Sequence, residues 1–225
     1  MRRSRFVLVS LVILMIAFAS LLHADKKKKA SILIRPDQSF EIPDAPQAFA
    51  TAARRTCAND LWGTAVATAM KGQELAFLAR EVSFKLAGGD ACLPTLPEFD
   101  VLRKSVEGDY SLGNGRHYRI RLELTPGAPS SADPLAIELH EKRPPIVIYS
   151  GQPLLLYGIT YDEHILNNLR KELWITELRL VNPGAAVGSD ARIVKFKRDD
   201  PRLADIQGVI KVTVTPMTLG QLESR

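Results

Sequence analysis

The chain has 225 residues, of which 46% are hydrophobic and 24% charged, values of a folded protein that exclude a long disordered or collagen-like chain. Its 30 Lys and Arg against 25 Asp and Glu give a formal charge of +5, and setting aside Arg2, Arg3 and Arg5 leaves 27 against 25, or +2. Lys26 to Lys29 hold four of those remaining charges in one run, so no basic face suited to a nucleic acid is visible.

Residues 1–24 join a basic start to an apolar run from Phe6 to Leu22 and end in small residues, the pattern of an export signal. Cleavage is expected after Ala24, or after Ala19 within Ala17-Phe18-Ala19. The expected location is periplasmic or secreted. The alternative is an anchor formed by residues 6–22, because that run lies near the lower limit for spanning a bilayer and Lys26 to Lys29 could stop transfer. Any membrane association rests on that uncleaved segment. Residues 25–47, with Pro36, Pro43 and Pro46, read as an extended arm.

The only cysteines are Cys57 and Cys92, both in the part that export would place in an oxidising compartment. Two readings follow. A disulfide is the simpler, closing a sequence separation of 35 and adding about 3 to 4 kcal/mol in the chain-entropy model; a reactive Cys57 thiol is the other. His117, His140 and His164 show no ligand spacing, so neither a metal nor another cofactor is expected.

From Asn59 the apolar residues Trp62, Ala65, Val66, Ala69 and Met70 fall on one helical face, with Asn59 or Asp60 as the expected cap and Gly72 as the end. Leu75, Leu78 and Val82 predict a second helix stopping at Gly88-Gly89, and Phe99, Leu102 and Val106 a short third. After Gly108 the period falls to two. Strands are predicted over His117 to Leu124, Ile146 to Tyr149, Leu154 to Thr160, Leu173 to Val181, Ile193 to Lys197 and Val209 to Thr215, with one helix over Pro134 to Glu141. The nearly continuous apolar pair around Ser150-Gly151 implies burial on both faces. Helices first and an antiparallel sheet second make an α+β domain with a cleft between its halves. The expected organisation is 48–217 as one domain, with a helical half 48–110 and a β half 111–217, followed by a tail 218–225.

The run from Cys57 to Gly72 resembles the central helix of papain-like cysteine peptidases, including bacterial C39-like members, in which Cys-Trp opens a helix rich in small residues; Trp62 matches that Trp. The order continues with the hairpin from Arg143-Pro144-Pro145 to Thr160 and a later strand ending in Asn182-Pro183, so the resemblance spans Arg54 to Pro183. It implies a papain-like fold. Where the family has its nucleophile, this chain has Leu61; where it has the base, at the start of the second hairpin strand, stands Gln152; the orienting position holds Asn182, and Arg55 replaces the oxyanion-hole Gln. Leucine has no nucleophilic atom, and an amide takes no proton at neutral pH. In the family a cysteine a few residues before the nucleophile commonly bonds to the chain after the central helix, an arrangement that Cys57 and Cys92 imitate.

The resemblance therefore implies an exported pseudo-peptidase without catalytic residues, kept as a peptide- or protein-binding or structural module, with Trp62 and Asn182 as cleft candidates. Two alternatives are an active peptidase or amide-transferring enzyme that uses Cys57 with a histidine, and an envelope-anchored adaptor. For His164 after Asp162-Glu163 the reading is a solvated loop, for Asp199-Asp200-Pro201 a turn, and for Trp174 packing.

Overall fold

The computed structural model describes residues 31–49, 56–186 and 188–218. The predicted leader 1–24, Arg55 and all of the predicted tail but Thr218 lie outside the described residues. Of the described chain, 35–163 with 172–218 form one compact unit, and 31–34 with 164–171 a second. The second unit contains a turn closed by the Leu166 N–H donating to the Arg170 carbonyl, with Leu169 in the left-handed region at φ 60°.

The secondary structure is mixed α+β. In chain order it runs β1 Ser31–Glu41, α1 Ala45–Ala48, α2 Ala58–Lys71, α3 Ala79–Ala87, α4 Phe99–Val106, β2 Gly108–Ser111, β3 His117–Pro126, α5 Asp133–His140, β4 Ile146–Tyr149, β5 Gln152–Leu166, β6 Lys171–Val181, β7 Ile193–Lys197 and β8 Ile206–Met217. The eight strands form one sheet in the order β2-β3-β8-β4-β5-β6-β7, with β1 also paired to β5. The β2·β3, β3·β8, β8·β4, β4·β5 and β6·β7 pairs are antiparallel.

The long amphipathic helix is α2. Trp62, Ala65, Val66, Ala69 and Met70 are all at most 1% exposed, as the 3.6-residue period requires. The cap differs from expectation. Cys57, in extended conformation, is the N-cap residue, and Asn59 and Asp60 are already helical because their side chains bond elsewhere. Gly63 brings α2 against α3: a Cβ there would run into the Ala79 carbonyl. The second predicted helix is shorter at its start, since Leu75 to Leu78 form its approach and helix begins only at Ala79. Leu75 still packs in the core, but Leu78 is 63% exposed.

In the sheet, β4 and most of β5 are buried, as their unbroken apolar sequence demands. Ser150 and Gly151 connect them with positive φ at both residues, the geometry of a two-residue hairpin turn. Strand β4 covers β8 only from Ile206 to Ile210. Beyond it, the Gln73 amide just after α2 donates to the Val212 carbonyl (2.9 Å) and accepts from the Val214 N–H (3.0 Å). A side chain thus replaces a strand and ties the helical half to the sheet.

Two further elements differ from the sequence expectation. Gly108–Ser111 is a strand, set against β3 by pairing that a four-residue segment cannot announce. Within 25–47, residues 31–41 are strand and 45–48 helix, where an arm was expected. In the larger unit the Ile42 N–H donates to the Tyr157 carbonyl (2.8 Å), and Arg179 Nη2 reaches Ser39 Oγ (2.7 Å).

Candidate functional site

The start of α2 is fixed by the segment that follows α3. Cys57 and Cys92 form a disulfide with a Cα–Cα distance of 5.2 Å. Beside it, the Ala58 N–H donates to the Leu93 carbonyl (2.8 Å), and the Leu93 N–H donates to Asn59 Oδ1 (3.0 Å). Asn59 Nδ2 donates to Ser83 Oγ (2.9 Å) and the Ala91 carbonyl (3.0 Å), while Ser83 donates to Asp60 Oδ1 (2.6 Å). Asn59 is 3% exposed and uses both ends of its amide, which is why it can be buried without penalty.

Leu61 lies in the first turn of α2, where its N–H donates to the Cys57 carbonyl (3.0 Å). It is only 5% exposed. Its Cδ2 occupies the space that a Cβ on Gly184 would need, so the leucine packs directly on the turn after β6. That turn is set by Asn182, whose Oδ1 accepts the Gly184 N–H (3.0 Å) and whose own N–H donates to the Arg192 carbonyl (2.8 Å). Leu61 and the Asn182 turn are therefore neighbours although about 120 residues separate them in the chain.

Gln152 is the first residue of β5 and faces Tyr149 across the hairpin. Its Nε2 donates to the Pro94 carbonyl (2.7 Å), while the Leu96 N–H donates to the neighbouring Gly151 carbonyl (2.8 Å). The Gln152 side chain thus meets the 94–96 segment, which continues from Cys92 and Leu93 at the start of α2. Leu61 and Asn182 adjoin through Gly184; Gln152 is joined to the helix start through Leu93 and Pro94.

This arrangement offers no nucleophile and no proton acceptor. Leu61 is aliphatic, the Gln152 amide is neutral, and Asn182 Oδ1 is engaged by the backbone. Cys57, the nucleophile of the alternative enzyme reading, is consumed in the disulfide. The three described histidines sit on separate elements. His117 shares a 2.7 Å hydrogen bond with Ser111 across β2 and β3, His140 stacks edge-on against Phe40 from the end of α5, and His164 belongs to the second unit. Among the described residues no group of three or more His, Cys, Asp or Glu is placed to hold a metal ion.

Trp62, expected as a cleft candidate, is fully buried, with its indole Nε1 donating to Ser105 Oγ (3.3 Å). It belongs to the core because its position on the apolar helix face leaves it nowhere else to point. Trp174, by contrast, is 42% exposed and helps to line a pocket of about 320 Å³ with Pro129, Phe196 and Arg198. A groove of about 790 Å³ runs along the outer face of α2 past Thr64, Thr68 and Lys71, walled by Phe49, Leu75 and Pro144. Sequence reasoning gave no hint of Gly184 as the seat of Leu61; Asn182-Pro183-Gly184 reads as a turn and nothing more.

The Leu61 contact can be checked directly. Leu61→Ala is expected to lower stability by about 2 to 4 kcal/mol, because it removes a buried side chain that the rigid turn cannot follow inward. The measurement is a urea titration, and an unchanged midpoint would mean that the leucine does not pack on Gly184.

No family model, curated protein or solved structure matches the chain.

Proposed function

We propose that this chain is an exported papain-like protein without peptidase chemistry, which acts as a peptide- or protein-binding or structural module. The observation that carries the reading is the seat of Leu61. A leucine fills the first turn of the central helix, at the place where the resemblance puts a nucleophile, and packs directly against the turn of Asn182, which holds the position that would orient the base. An aliphatic side chain there is a stable packing solution and a chemically silent one. Gln152 supports the same reading, since its amide holds the chain after the disulfide in place and offers no base.

Export is part of the proposal. A disulfide persists in an oxidising compartment, and no helix among the described residues is long and apolar enough to cross a membrane. The expected ligand is a segment of extended polypeptide, with specificity set by shape and hydrogen bonding.

The test is turnover. The unmodified protein should hydrolyse peptide and amide substrates no faster than a blank, and iodoacetamide should leave the native protein unlabelled. Peptidase activity that disappears in Cys57→Ala would overturn the reading in favour of an enzyme. In the same assay Leu61→Cys alone should stay inactive, and hydrolysis would further require Gln152→His, because a thiol without a base is largely protonated at neutral pH.

A further inference from the structure

Arg192 is the one buried cation whose surroundings do not account for it among the described residues of the turn after β6. It is 3% exposed, and burial without a carboxylate partner pushes its pKa down from the usual arginine value. Its Nε donates to the Pro46 carbonyl (2.6 Å) and its Nη1 to the Ala185 carbonyl (2.7 Å), but Nη2 has no acceptor. A buried guanidinium held by two neutral carbonyls and lacking a third partner is costly, since its charge stays uncompensated. Arg192 also lines a cavity of about 360 Å³, whose walls include Pro46, Gly188, Ser189 and Asp190.

We propose that this cavity is a binding site for a single carboxylate, which takes the open Nη2 donor of Arg192. A guanidinium edge matches a carboxylate in both charge and geometry, and a hydrogen bond between two ionised groups is about twice as strong as a neutral one. Two donors of the fork are already fixed by Pro46 and Ala185, so the guanidinium is oriented before the ligand arrives. Asp190 is the carboxylate on the wall, and it is exposed. Desolvation cost rises with the square of the charge while attraction to the single guanidinium rises only in proportion, so this buried site favours a monoanion and discriminates against dianions such as sulfate. Nη2 is covered by the protein itself. The exposed Gly188-Ser189-Asp190 turn on the cavity wall is the segment that would move to admit a ligand.

The site goes beyond the cleft reading and does not depend on it, although the two are close in the fold. Arg192 accepts the Asn182 N–H through its carbonyl and holds the Ala185 carbonyl, at either side of the glycine on which Leu61 packs. The same carboxylate chemistry could come from a free small acid or from the C-terminus of a peptide.

The experiment titrates the full chain with acetate, with sodium sulfate at matched ionic strength, and with one short N-acetylated peptide in its free-acid and amidated forms. It follows the side-chain NH resonances of Arg192 by NMR alongside the melting temperature. Saturable shifts of the Arg192 resonances with acetate and the free acid, and none with sulfate or the amide, are expected. Tighter binding of the free-acid peptide than of acetate would assign the source as a peptide terminus; equal binding would assign a free small acid. Arg192→Met should weaken binding about tenfold or more, and Asp190→Asn should tighten it. Because Arg192→Met also removes two structural hydrogen bonds, Asp190→Asn is the variant that keeps the test valid if the first does not fold. Arg192 resonances that ignore acetate, or equal response to sulfate and acetate, would overturn the proposal and leave the guanidinium a purely structural clamp. Neither outcome alters the turnover test of the cleft.

Discussion

Trp62→Ala is expected to be the most damaging single substitution in the helical half, at about 3 to 5 kcal/mol. The ring is fully buried in the middle of the apolar face of α2 and adjoins α4 through the hydrogen bond to Ser105, whose hydroxyl in turn donates to the Leu102 carbonyl (2.7 Å). Removing the indole opens a cavity in a closely packed core that also holds Val66, Leu102 and Val106, so collapse is incomplete. Trp62→Phe separates the two contributions, since it keeps most of the packing and loses the hydrogen bond, worth about 1 kcal/mol. Urea unfolding with an unchanged slope and a shifted midpoint is the readout. A loss near zero for the alanine variant would place the ring outside the core.

Replacing both Cys57 and Cys92 by serine is expected to cost about 3 to 4 kcal/mol, which follows from a sequence separation of 35 and the loop-closure entropy that the bridge removes from the unfolded chain. The native state should change little. The Ala58, Asn59 and Leu93 hydrogen bonds hold the same two segments together without the sulfur bridge. The paired serine variant should therefore keep its circular dichroism spectrum and lose stability through the unfolded ensemble. If instead the spectrum of the folded variant collapses, the bridge holds up the native helix start itself. Adding Asn59→Ala to the serine pair should cost more than in the bridged protein, because the amide is then the main link between α2 and the 91–93 segment.

Much of the secondary structure could be read from the residues. The 3.6 period from Trp62 to Met70, the alternation of Ile120 and Leu122, and the unbroken apolar runs flanking Ser150-Gly151 each state a burial pattern that local geometry must satisfy. The pairing of Cys57 with Cys92 was legible as well, because the chain offers neither cysteine another partner. What escaped was set by distant partners. The cap of α2 moved to Cys57 since Asn59 and Asp60 spend their side chains on Ala91, Leu93 and Ser83. Leu78 sits on the expected helical stripe and yet lies in the approach to α3, where no neighbour rewards the extra turn.

The candidate site divides in the same way. That Leu61 and Gln152 carry no nucleophile and no base is a property of their side chains, fixed before any folding. That Leu61 rests on Gly184, that Gln152 is bound to Pro94, and that Arg192 is buried with one open donor are properties of the packed chain alone. The amino-acid sequence determines periodicity, turn chemistry and the chemical groups on offer, because these depend on a residue and its near neighbours. Which groups meet, and which polar atoms are left without a partner, depends on contacts between residues about 100 or more apart, such as Leu61 with Gly184 and Arg192 with Pro46. Those contacts are set by the register of the sheet and the close approach of the segments joined to it, and only the tertiary structure decides them.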